Sequence, residues 1–291
     1  MPANNPYRRY LLLILIYSSL IVITDWRKFM RKQPRIKNKP VYPYRLALTG
    51  GWGDHNFVNF LADGYVVVVQ IKPTVTFHDR CGICSSTRKI LIRKYPKGIP
   101  QKIDKYKLAT DLYYRENARK VPIGGSQDAF GSVYPGFNLL HYDFRHHNGV
   151  IPRKVTSIKD QRTARWFERN FWVVECVGPR PEGYNPFDGG RFATKKVVSQ
   201  LGQSGQDCFS AIKNRDVSAL GASFNQCSSA WRKMLPAIFE HPTIKVPVMQ
   251  KLRHYQRKYA GAMPSGCGVG YIYVASSEPV EGAFQVKVNL K

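Results

Sequence analysis

The sequence predicts an α+β protein of two lobes, and three observations predict it. The run YVVVVQI at 65–71 is apolar on both faces, the mark of a central strand covered on each side. Segments 197–212 and 216–234 repeat apolar residues at helical spacing. Strands and helices then follow one another in irregular order, which fits α+β.

Taken in order, 44–48 is a short apolar strand that runs into the turn Gly50-Gly51-Trp52-Gly53. The central strand follows Gly64. At 81–94 a glycine loop gives way to Ser85-Ser86-Thr87 and a basic-apolar helical segment, and hydroxyl residues are natural helix caps. A helix is expected over 103–117. The stretch GGSQDAFGSVYPG comes next, at 124–136. Segments 139–144 and 149–156 alternate around HHNG, a hairpin signal, and 171–177 reads as another strand. Helices are expected over 160–170, 197–212, 216–234 and 243–259. The chain closes with a glycine loop, 266–270, that leads directly into a strand.

The composition bounds the partners. The 291 residues are 43% hydrophobic and 13% aromatic, which suits a globular chain and excludes a disordered one. No internal repeat or low-complexity tract is present. Against 45 Lys and Arg stand 19 Asp and Glu, a formal charge of +26. Such a field favours anionic partners: nucleotides, phosphorylated metabolites, nucleic acid or an acidic membrane face. A solvated basic surface accounts for the same charge.

Residues 1–40 form an apolar and basic extension. Its segment 10–24 is shorter than the ~20 residues that span a bilayer as a helix. Three readings stay open: a core helix, a membrane-surface or signal-anchor segment, or sequence upstream of the natural chain. The six cysteines include Cys81-x-x-Cys84, but no second pair at ligand spacing joins it. Scattered thiols in apolar settings point to a reducing compartment.

Chemistry concentrates at three glycine loops, 50–53, 82–87 and 266–270. Backbone approaches a ligand closely at such turns. The second loop precedes a helix N-terminus, where N–H groups and the dipole favour phosphate and a serine hydroxyl reaches Mg²⁺. With isolated acids at Asp54 and Asp128, the set suggests phosphoryl transfer, one carboxylate orienting a hydroxyl and taking its proton. Asp128 also fits a plain turn or capping aspartate after Gly124-Gly125.

The order and wording of these loops resemble the GHMP kinases, nearest the heptose and fucose branch. PYRLALTGGWGDH at 43–55, CGICSSTRKI at 81–90, GGSQDAFGSVYPGFN at 124–138 and MPSGCGVGYIYV at 263–274 are similar to four of the family's stretches in sequence. The resemblance implies a ribosomal-protein-S5-like N-terminal lobe over 41–150 and a ferredoxin-like C-terminal lobe over 151–291. It implies a kinase that moves the γ-phosphoryl of ATP, with Mg²⁺, to a sugar or polyol hydroxyl. Asp128 and Arg45 then match the catalytic pair, and Asp54, His55 and Gln127 the acceptor site. Gly82, Cys84, Ser85, Ser86, Thr87, Gly266 and Gly268 match the nucleotide site, with Ser85 and Ser86 on the metal side. Only thirty residues separate Gly51 from Gly82, where the family has a long passage. That departure, with Cys84 and Arg88-Lys89 in the second loop, bears on the adenine pocket and leaves a non-catalytic nucleotide- or sugar-phosphate-binding protein as the alternative. A polyanion- or RNA-binding module is a third reading, resting on charge and aromatic content. ATP use implies a cytoplasmic active site, with 10–24 as a contact to the inner membrane face.

Overall fold

The computed structural model describes residues 42–75, 77, 78, 81, 83, 85–100, 102–118, 124–267 and 269–291. The extension 1–40, including the expected membrane contact at 10–24, lies outside the described residues. From Val41 onward the chain is one compact unit.

Strand β1 (Tyr44–Ala47) leaves through the glycine turn, and a single helical turn, α1 (Asn56–Asn59), leads to β2 (Gly64–Ile71). Helices α2 (Ser85–Lys94), α3 (Lys105–Asn117) and α4 (Gln127–Val133) follow, then β3 (Phe137–Tyr142) and β4 (Lys154–Ile158). The four strands form one antiparallel sheet in the order β1-β2-β3-β4. β2 is central, as its valines predict, and they divide by the two-residue period of a strand. Val66 and Val68 join Leu108, Leu112 and Phe130 on one face. Val67 and Val69 join the main core on the other, where Phe137 and Trp231 also sit.

The second half begins with α5 (Gln161–Asn170) and β5 (Phe171–Glu175), followed by the long helices α6 (Lys195–Asn214) and α7 (Val217–Met234). After α8 (Val248–Lys258) come β6 (Gly261–Pro264), β7 (Tyr271–Ala275) and the short β8 (Ala283–Phe284). These strands make a second antiparallel sheet, β6-β7-β5-β8. α6 packs on β2 of the first sheet, α7 on β6 of the second, and the two helices on each other. The chain end returns to the first sheet, where Asn289 N donates to Gln70 O and Lys72 N to Lys287 O. Among the described residues no helix is long and apolar enough to cross a membrane.

Caps set several boundaries. Asp104, Asp160, Thr194 and Asp216 each accept backbone N–H bonds at the starts of α3, α5, α6 and α7. Two elements start later than the sequence pattern suggests. β4 begins at Lys154 because Asp143 gathers Arg145 and Arg153 into a longer connection, with His147 and Asn148 at positive φ. α8 begins only after Pro247, since proline cannot donate within a helix.

Candidate active site

The turn after β1 carries the first part of the site. Gly50 has φ +76, and a Cβ there would lie 1.7 Å from Tyr65 O, so only glycine lets the turn pack on the start of β2. The turn closes with Gly53 N donating to Gly50 O at 2.9 Å. Trp231 of α7 reaches across and donates from Nε1 to Gly51 O at 2.9 Å. A residue of the second half thereby fixes the position of the first loop.

Asp54 is fully buried behind this turn. Its carboxylate accepts from Gln127 N at 3.0 Å and Gln127 Nε2 at 3.3 Å. The approach is close because residue 125 is glycine: a Cβ there would lie 1.8 Å from Asp54 Oδ2. The structure thus places Asp54 under the start of α4, where it orients Gln127. Gln127 Oε1 is buried and has no hydrogen-bond partner among the described residues.

Asp128, in the first turn of α4, pairs with Arg45 of β1. The helix start at Ser126 has no side-chain cap bond, so Asp128 serves as the ion-pair partner of Arg45 and not as the cap. Arg45 is 4% exposed and Asp128 28% exposed, which leaves the carboxylate as the accessible member. Gly131, one turn on, makes room for the Arg45 stem: a Cβ there would lie 2.1 Å from Arg45 Cγ.

Arg45, Gln127 and Asp128 face a cavity of about 440 Å³, and Asp54 lies behind its wall. Arg45, His55, Ser86, Gln127, Asp128 and Gly266 of the expected site residues line it. Ser86 and the fully buried Thr87 donate their hydroxyls to the two carboxylate oxygens of Glu116, at the end of α3. Ser85 opens α2, and its side chain lies outside the described residues, as do Gly82, Cys84 and Gly268. Arg88 is turned to β1, donating to Tyr42 O at 3.0 Å and lying 4.4 Å from the centre of the Tyr44 ring.

Burial lowers the pKa of the His55 imidazole, Asp54 opposing and Arg191 adding to the effect. The ring lies 4.8 Å from that of Trp52, which packs 5.3 Å from Phe187. The Cys267 thiol, also on the cavity wall, is pushed up to about 11 by burial, so it stays protonated near neutrality. No group of three or more His, Cys, Asp or Glu gathers into a metal cluster among the described residues. Ser86, Thr87 and Glu116 instead form a small set of hard oxygens, the chemistry that Mg²⁺ takes with substrate phosphates beside it.

Three cavity residues carry no local signature: Glu116, Trp231 and Arg180. Glu116 stands among solvated charges on a helix. Trp231 reads as core. Arg180 sits in the segment 178–193, rich in glycine and proline, which also brings Tyr184, Asn185, Pro186 and Phe187 to the cavity. The signal available was the position of that segment, directly after a strand and before a long helix, where binding loops concentrate.

No family model matches the chain, and no curated protein matches it. Solved structures do. The chain is similar to a D-glycero-D-manno-heptose 1-phosphate kinase from Bacteroides thetaiotaomicron at 12% identity, covering 85% of this chain and 95% of that one, with TM-score 0.52. It is similar to Lactococcus lactis galactokinase, complexed with galactose, at 10% identity, 92% and 98% coverage and TM-score 0.53. The mevalonate kinase of L. major in complex with R-mevalonate aligns at 13% identity, 87% and 98% coverage and TM-score 0.50. Two antiparallel sheets joined through a helix pair, with glycine loops converging on one cavity, are accordingly the two-lobed α+β fold of the GHMP kinases.

Proposed function

We propose that the protein is a phosphotransferase that moves the γ-phosphoryl group of ATP to a hydroxyl of a small sugar- or polyol-like acceptor. The observation that carries this reading is the Arg45–Asp128 pair on the wall of a cavity that Ser86 and Glu116 also line, with Thr87 bonded to Glu116 behind them. The division of labour follows from chemistry. Asp128, the exposed member of its pair, accepts the proton of the acceptor hydroxyl as the hydroxyl oxygen bonds to phosphorus. The bond to the bridging oxygen breaks, and its electron pair leaves with ADP. Arg45 holds the carboxylate in place. Gln127 Oε1, held by Asp54 through the amide nitrogen, is an acceptor for a second hydroxyl of the sugar. Ser86, Thr87 and Glu116 are the residues to hold Mg²⁺, which would neutralise charge on the phosphates. We further propose that the boundary between the lobes falls after 159 and not at the expected 150, since β4 pairs within the first sheet, and that the active site is cytosolic, where ATP is.

The test is ATP consumption with Mg²⁺ and a panel of free sugars, polyols and their phosphate esters. Asp128→Asn is expected to lower turnover about 10²–10⁴-fold, the usual worth of a positioned base. It should leave the rise in melting temperature with Mg²⁺ and ATP intact. Turnover of Asp128→Asn at the wild-type rate removes that role. The short passage between the first two glycine loops supports a second reading, a non-catalytic binder of nucleotide or sugar phosphate. It predicts ligand-induced stabilisation with no product for any acceptor.

A further inference from the structure

Arg180 lines the cavity and has no part in the transfer proposed for Asp128 and Arg45. One of its Nη atoms donates to Cys267 O at 3.4 Å, and its guanidinium lies 5.6 Å from the centre of the Tyr184 ring. Its Nε is shut off from solvent and has no hydrogen-bond partner among the described residues. No carboxylate pairs with it among the described residues, whereas the charge of Arg45 is met by Asp128. The Cys267 thiol feels Arg180 in one sense and Asp128 in the other, so both charges act on the same part of the wall.

A donor buried without a partner carries an uncompensated desolvation cost, and a larger one when it belongs to a charged group. A cation on a cavity wall with no counter-charge of its own among the described residues attracts an anion that enters. The fork of a guanidinium presents parallel N–H groups that match two oxygens of a phosphoryl group, and the Tyr184 face beside it limits how the plane turns. The neutral Arg45–Asp128 pair offers the phosphoryl oxygens little net charge.

We infer that Arg180 is a catalytic residue that binds phosphate, its guanidinium taking the oxygens of the phosphoryl group under transfer. The inference rests on the phosphotransferase reading and adds a second arginine to it, supplied by the segment between β5 and α6.

The test compares wild type, Arg180→Met and Arg180→Lys, with melting curves to establish that each is folded. Turnover is measured on an acceptor and on its phosphate ester, with mannose and mannose 6-phosphate as the first pair. Calorimetric titration with inorganic phosphate is run in parallel, without nucleotide. Arg180→Met should lower kcat about 10²–10³-fold, the usual cost of removing one donor aimed at developing charge. The loss should be alike for both acceptors, with acceptor KM little changed, and Arg180→Lys should recover part of it. A loss confined to KM for mannose 6-phosphate overturns the inference and moves Arg180 to the acceptor's own phosphate. Wild-type kinetics in Arg180→Met overturn it while leaving the phosphotransferase standing. If wild type turns over nothing, that reading fails and the titration decides: phosphate binding lost in Arg180→Met supports the site, and equal binding in both proteins removes it.

Discussion

Gly131→Ala separates the geometry of the Arg45–Asp128 pair from the stability of the fold. Gly131 lies inside α4 with the Arg45 stem pressed against it, and an added Cβ would lie 2.1 Å from Arg45 Cγ, 3.0 Å from Cδ and 3.3 Å from its Cβ. Carbon atoms settle at about 3.5–4.0 Å, so the Cγ must retreat by roughly 1.5 Å. Two stability terms oppose each other. Replacing a helical glycine by alanine gains ~1 kcal/mol of helix propensity. Overfilling a packed site costs ~1–3 kcal/mol. The net change should be a loss of about 0–2 kcal/mol in urea melts. Activity has no such compensation. Arg45 is buried and cannot swing into solvent, so its guanidinium shifts and takes the Asp128 carboxylate with it. A displacement near 1 Å in a positioning group can cost about 10²-fold in rate. The expected result is a folded protein with turnover down by that order. In an Arg45→Ala background the contacts with Cγ and Cδ disappear and only the 3.3 Å approach to Cβ stays, so Gly131→Ala should be less destabilising there than in wild type, with a gain of ~1 kcal/mol as its upper bound. A Gly131→Ala protein with wild-type turnover, and stabilised by the full propensity term, would refute the argument that this space is filled.

Two further outcomes follow from the same contacts. Asp54→Ala removes a buried acceptor of two bonds from Gln127 and should destabilise by about 2–4 kcal/mol, with acceptor binding weakened as Gln127 loses its anchor, read by urea melts and acceptor KM. Asp143 is held down to about 2, from an ordinary 3.8, chiefly by the Arg145 side chain, then by the Arg145 N–H and Arg153. A lowered carboxyl pKa stabilises the fold above its unfolded value, and that contribution is lost as pH falls through the folded one. Melting temperature should therefore drop between about pH 4 and pH 2, and Asp143→Asn should lack this part of the slope.

The legibility of this chain has a physical pattern. β2 was readable because four consecutive valines leave no polar face, and the structure covers both sides of it. The glycine turn was readable because Gly50 meets a backbone oxygen that no side chain could tolerate. What Asp54 faces was not readable, since Gly125, far along the chain, decides whether its carboxylate meets the cavity or the start of α4.

The two signs of charge were unequally legible, and the reason is their abundance. With 19 acids among 291 residues, each carboxylate has many cations within reach, and its place in sequence carries information. Asp104, Asp160 and Asp216 stand directly before helices and cap them. Asp128 stands one residue inside a helix, where a cap is no longer needed, and pairs with Arg45 across 83 positions. Forty-five basic residues offer no such contrast. Most of them meet water at no cost, so sequence position does not mark the few that fold inward. Arg45 could be singled out only because its strand and the glycine turn after it resemble a family stretch, and Arg180 stands in no such stretch. In a chain of this charge, the acids are found by reading and the candidate cations by their surroundings: Arg45 is buried against a carboxylate, and Arg180 has its Nε shut off from solvent with no carboxylate beside it among the described residues.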